Sequence, residues 1–160
     1  MSLHIRRRPL TDTFDTALHP VLERVYRGRS IQSAEQLNTG ARSLLHYRDL
    51  LGCDKAAARI ANAIIEQQPI TIIGDFDADG ATSTALCMLA LGQMGATLVD
   101  YLVPNRFDFG YGLSPQIVEV AAERGTPLII TVDNGISCHA GVQRANELGM
   151  EVIVTDHHLP

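Results

Sequence analysis

The chain has 160 residues, 46% of them hydrophobic and 19% charged, with a formal net charge of −5. At that length one domain can bury about two thirds of its unfolded surface, and no apolar run reaches the roughly 18 residues of a membrane span. The start, MSLHIRRRPL, lacks the apolar stretch of a signal peptide, and three scattered cysteines, Cys53, Cys87 and Cys138, offer neither a disulfide framework nor a zinc knuckle. The expectation is therefore a soluble cytoplasmic protein with reduced, buried thiols.

Charge is placed unevenly. Residues 1–68 carry ten Lys and Arg against seven Asp and Glu, whereas residues 69–160 carry three against eleven. The first part reads as a helical lead-in. DTALHPVLERVYRG puts Leu18, Val21, Leu22 and Val25 on one face with Gly28 as a stop, and Ser33 with Gln36 three places later has capping-box spacing. Asp54 can cap a longer helix through KAAARIANAIIEQQ, whose Ala57, Ile60, Ala61, Ile64 and Ile65 form an apolar stripe before Pro69 ends it. The Arg6-Arg7-Arg8 run either meets phosphates or is simply solvated.

From residue 69 strands and helices alternate. PITIIGD, ATLVDYLVP, TPLIITVD and MEVIVTD read as strands; ATSTALCMLALGQMG, SPQIVEVAAERG and SCHAGVQRANELG read as helices, the second with Ser114 as cap and Pro115 at its first position. This order predicts an α/β fold, a parallel doubly wound sheet with helices on both faces. Residues 85–94 are almost wholly apolar, which suits burial against the sheet.

The segment GDFDADG begins like an EF-hand loop, with Asp75, Asp77 and Asp79 at alternate positions before Gly80. The twelfth position should then offer a bidentate glutamate and is Leu86, and the segment before it is a strand, so the calcium-loop reading fails. What remains is a pattern of three strands ending on carboxylates, IIGD at Asp75, ITVD at Asp133 and VTD at Asp156. In an open parallel sheet these ends share one edge, where ligands bind near the switch in strand order. Unpaired carboxylates gathered there would repel, and cations relieve this. His157 and His158 add imidazoles, and a mixed carboxylate and imidazole set suits manganese, or another borderline divalent ion, better than calcium. More than four such donors exceed what one ion usually takes, so two ions are expected. Singly, each piece has a plainer reading: Asp-Gly and Asn-Gly form turns, and a strand-end Asp caps the next helix.

GDFDADG, VDNG and TDHH, in that order, resemble motifs I, II and III of the DHH phosphoesterase superfamily. Within it, PNRF…GYGLSP, TVDNGIS and VIVTDHHLP resemble the bacterial exonucleases specific for single-stranded DNA, and the resemblance extends through the arginine-rich start. It implies metal-dependent 5′ to 3′ hydrolysis of phosphodiester bonds in recombination and repair, with two Mn2+ or Mg2+ ions. It makes Asp77 and Asp79 metal ligands with Asp75 close by, Asp133 the bridging carboxylate and His157 a further ligand. Asp156 and His158 would orient the cluster or contact the scissile phosphate, and Arg106 would face substrate on a loop that Gly110 and Gly112 let approach DNA. Single-stranded DNA is the implied partner, together with a helicase or a single-strand-binding protein. The superfamily's fourth motif has no counterpart before Pro160, so the expectation is a piece of a longer enzyme, weakly active or inactive alone. The rival readings are a DHH phosphoesterase of small nucleotides or pyrophosphate, and a non-catalytic scaffold of the same fold.

Overall fold

The structure, a computed structural model, describes residues 4, 6, 9, 10 and 17–159. Its contacts separate two compact units, residues 1–50 and 51–160.

In the first unit, helix α1 (Pro20–Arg27) is followed by three short 3-10 turns at Ala34–Leu37, Ala41–Ser43 and Tyr47–Asp49. His19 caps α1, its Nδ1 accepting from the Val21 N–H at 3.3 Å. The apolar stripe of α1 is largely open to solvent, with Val21 61% exposed and Val25 41%. The capping box does not form: Gln36 Oε1 accepts from the Gln32 N–H at 2.7 Å, and Ser33 makes no cap bond. Of the arginine run, Arg6 is exposed, and Arg7 and Arg8 lie outside the described residues.

The second unit opens with α2 (Cys53–Ile65), which follows Gly52 in the left-handed region at φ 74°. Asp54 thus lies in the first turn and complements the helix dipole instead of capping it. Ala63 on this helix is fully buried, with Ile60 and Ile64 packed around it against the sheet. The contacts therefore group α2 with the α/β unit, ahead of the boundary expected at residue 69. Then come β1 (Ile70–Ile73), α3 (Ala78–Gln93), β2 (Val99–Leu102), α4 (Arg106–Phe109), α5 (Pro115–Glu123), β3 (Leu128–Val132), α6 (His139–Glu147) and β4 (Glu151–Thr155).

The strands pair in the order β2-β1-β3-β4, all parallel, with Ile70 opposite both Val99 and Leu128, and Leu128 opposite Glu151. Strands β1 and β3 are buried on both faces, which explains why each is apolar but for one threonine, Thr71 and Thr131. Ile70, Ile72, Leu128, Ile130 and Val132 face α2 and α3, packing with Ala63 and Leu91. Ile73 and Ile129 face α5 and α6, packing with Ile117, Val118, Ala121 and Ala145. Each of these large side chains contributes about 1.5–3 kcal/mol by leaving water. The predicted doubly wound sheet is thus the observed one, with Ser114 Oγ accepting from the Ile117 N–H and Pro115 opening α5.

Two expectations need correction. Helix α3 starts at Ala78, because Asp77 Oδ1 accepts from the Gly80 N–H at 3.0 Å and caps it. Its inner face is buried against the sheet as expected, with Leu91 3% exposed, while its outer face is open, with Leu86 69% and Leu89 65%. The three cysteines are free and only half-buried, and burial pushes the Cys87 thiol above its ordinary range. Among the described residues no helix is long and apolar enough to cross a membrane.

Candidate metal centre

Sheet order puts the site where β1 and β3 lie side by side while their connections leave toward opposite faces, the crevice in which parallel sheets bind ligands. Asp75 follows β1, Asp133 follows β3 and Asp156 follows β4, so register alone brings three distant carboxylates to one edge. Asp75 is 5% exposed and Asp133 7%.

Asp133 is held in the left-handed region at φ 63°, which short polar side chains tolerate better than most. Its N–H donates to the Thr155 carbonyl at 3.0 Å, which extends the ladder, and its own carbonyl accepts from the Tyr111 hydroxyl at 3.2 Å. Beside it Asn134, fully buried, donates from Nδ2 to the carbonyls of Ile73 and Val132 at 3.0 and 2.9 Å. That amide ties the end of β1 to the end of β3. On the other side, a Cβ at Gly80 would run into the backbone of Asp75, so glycine lets the first turn of α3 close over the strand end.

Two groups of potential ligands result, and they share Asp133. In one, atoms of Asp75, Asp77 and Asp133 lie within 4.8 Å of one another; in the other, so do atoms of Asp133, His157 and His158. His157 Nε2 lies 2.8 Å from Asp133 Oδ1. This donor set, three carboxylates and two imidazoles with one carboxylate common to both groups, fits a pair of borderline divalent ions.

Asp156 is engaged within the protein instead. Its Oδ2 accepts from the Ile136 N–H at 2.9 Å, and its Oδ1 accepts from the His158 N–H at 3.0 Å and lies 2.7 Å from His158 Nδ1. Burial raises the Asp156 carboxyl, but the hydrogen bonds from Ile136 and His158 outweigh it and hold the group below its ordinary value. The bond to Asp156 in turn lifts His158 above its ordinary value against the opposing effect of burial, and the charges of Asp156, Asp133 and Asp75 add to the lift.

Asp79 stands outside both ligand groups among the described residues. It borders a cavity of about 420 Å³ together with Asp133, Asp156 and His157. The backbone of Arg106 opens α4, and its side chain lies outside the described residues. Gly110 is open to solvent, but Gly112 is buried at φ 63° with Asn134 Oδ1 3.1 Å from where a Cβ would sit. Gly112 thereby lets the loop seat closely against Asn134.

Sequence reasoning missed two residues. Tyr111 meets His158 edge-on at 6.2 Å between ring centroids; burial raises its hydroxyl, and the charges of Asp75, Asp156 and Asp133 push the same way. Asn134 was legible only as half of an Asn-Gly turn. Its position one residue beyond Asp133, just past the wholly buried strand LIITV, was the available signal that the side chain is inside.

Comparison with known proteins gives these features a setting. Residues 69–160 match the model of the DHH family, N-terminal domain. Over 160 residues the chain is 51% identical to the single-stranded-DNA-specific exonuclease RecJ of Escherichia coli K12, covering 99% of this chain and 28% of that protein. A solved structure of exonuclease RecJ bound to manganese superposes with a TM-score of 0.65 at 40% identity, covering 73% of this chain and 30% of that one. RecJ from Thermus thermophilus, solved in complex with Mn2+, gives 0.61 at 35% identity, covering 84% and 18%. The chain thus spans under a third of the length of each of these relatives.

Proposed function

The chain belongs to the DHH family, and from that premise we propose that it carries the metal-binding half of a phosphodiesterase acting on single-stranded DNA, an exonuclease of recombination and repair. The observation that carries the proposal is Asp133, common to two groups of ligands at the β1 and β3 strand ends. Asp75, Asp77 and Asp133 would hold one ion and Asp133 and His157 the other, with Asp79 at the cavity rim as an additional carboxylate and His158 left to face the substrate. When bound, such ions lower the pKa of water toward neutrality and offset charge on phosphoryl oxygens. Manganese, the ion named for the two similar solved structures, suits this donor set.

The chain's own residues do the rest. Asp133, fixed by backbone bonds on both sides, presents a preorganised carboxylate. Asp156 holds His158 in place; in its charged form that ring offers a donor to a phosphate oxygen developing negative charge. Arg106 is assigned to the substrate side of the same edge. Digestion from 5′ to 3′, the company of a helicase or single-strand-binding protein on the strand, and a cytoplasmic site of action complete the reading. The three free thiols are consistent with that compartment.

Calorimetric titration of Mn2+ into this chain and into Asp133→Asn, alongside hydrolysis of end-labelled single-stranded DNA, tests the proposal. Asparagine tolerates the left-handed backbone, so the variant should fold and lose Mn2+ affinity by at least tenfold at both ions. Equal Mn2+ binding by the two proteins would exclude the shared ligand. Any hydrolysis should require Mn2+, disappear in the variant, and weaken as salt rises, since contacts to phosphate release counterions.

A further inference from the structure

We infer that Ser83 donates a hydrogen bond to a phosphoryl oxygen of the nucleotide bound at the metal centre. This rests on the hydrolytic reading above and names a substrate contact that reading leaves out. Ser83 lies four residues beyond Asp79, on the same face of α3. It is half-buried and borders the 420 Å³ cavity that Asp79, Asp133, Asp156 and His157 line.

A hydroxyl within a helix ordinarily returns to the carbonyl of the preceding turn. Thr82 does so, donating to Ala78 O at 2.8 Å and Asp79 O at 3.1 Å. Thr155, across the cavity, is likewise spent on the Thr131 carbonyl at 2.6 Å. The Ser83 hydroxyl has no hydrogen-bond partner among the described residues. The carboxylates around it only accept, so a phosphate entering the cavity finds few donors from the protein itself. Ser83 is a neutral, uncommitted one, and its place on a rigid helix beside Asp79 fixes it relative to the ligands.

The test uses Mn2+ alone and then thymidine 5′-monophosphate, a product-like probe, titrated into the Mn2+-saturated chain and its Ser83→Ala variant. Alanine is the better helix former, so the variant should keep its fold. The expected result is Mn2+ binding within twofold of the parent and nucleotide binding weaker by about tenfold, the scale of one hydrogen bond to a charged acceptor. Nucleotide binding within twofold of the parent overturns the inference while leaving the metal centre intact. So does a parent chain that binds Mn2+ but no nucleotide. Loss of Mn2+ binding in Ser83→Ala assigns the serine to the metal site and also overturns it. A parent chain that binds no Mn2+ overturns the hydrolytic reading itself, and this inference with it.

Discussion

Asp156 and His158 form a pair whose contribution depends on pH from both ends. His158 is raised in the folded chain, so its share of stability is fully present below its unfolded value of about 6.5 and is lost as pH rises through the folded value. Asp156 is lowered, so its share is present above its unfolded value of about 3.9 and is lost as pH falls through the folded value. Both are complete only between roughly pH 4 and 6.5. Asp156→Asn should therefore cost more stability at pH 5.5 than at pH 9 in metal-free buffer, read from urea midpoints. Equal costs at the two values would show that the pair is not coupled in solution. Asp75, Asp133 and Asp156 were legible because three strands end alike on a carboxylate, a joint pattern with few other causes. Their division of labour was not, since nothing in TDHH says that Asp156 turns inward to backbone N–H groups while Asp75, Asp77 and Asp133 gather. Which carboxylate accepts which N–H is decided by loop geometry, and that has no periodicity to read.

Helix α3 shows where pattern fails at the scale of an element. A stretch as apolar as ALCMLAL suits burial against the sheet but does not say on how many sides, because hydrophobicity carries no record of which neighbours are present. In the structure its inner face meets β1 and β3 through Leu91, Met88 and Cys87, and Leu86 and Leu89 look outward. Substituting Leu91 by alanine should cost about 2–5 kcal/mol, while Leu89→Lys should fall within about 0.5 kcal/mol in urea denaturation. Comparable losses at the two positions would mean that the outward face is covered in solution. The start of the helix was misplaced for a related reason. Asp77 was weighed as a ligand, yet it also caps α3, and one carboxylate with two oxygens can serve both purposes.

For the molecule as a whole, the division at residues 50 and 51 predicts a proteolysis pattern. Leu44, Leu45, Tyr47, Leu50 and Leu51 are all exposed, Leu51 fully. Brief chymotrypsin treatment should cut in this stretch and leave a resistant fragment containing residues 51–160, identified by mass spectrometry. Cleavage first between α2 and β1 would instead favour the boundary that composition suggested. The sheet was legible because parallel pairing buries β1 and β3 on both faces and writes this into the sequence as short runs without polar alternation, apolar but for Thr71 and Thr131. The same parallel pairing has a kinetic consequence. No two neighbouring strands are joined by a tight turn, so no hairpin can nucleate the sheet, and Ile73 must find Thr131 across an intervening strand and three helices. Such non-local pairing is slow, and the edge bearing Asp75, Asp133 and Asp156 is complete only once β4 has joined. A cation that recognises only the finished edge arrives after the rate-limiting step. Added Mn2+ should accordingly slow unfolding and leave the folding rate unchanged in stopped-flow urea jumps, so that only one arm of the chevron moves.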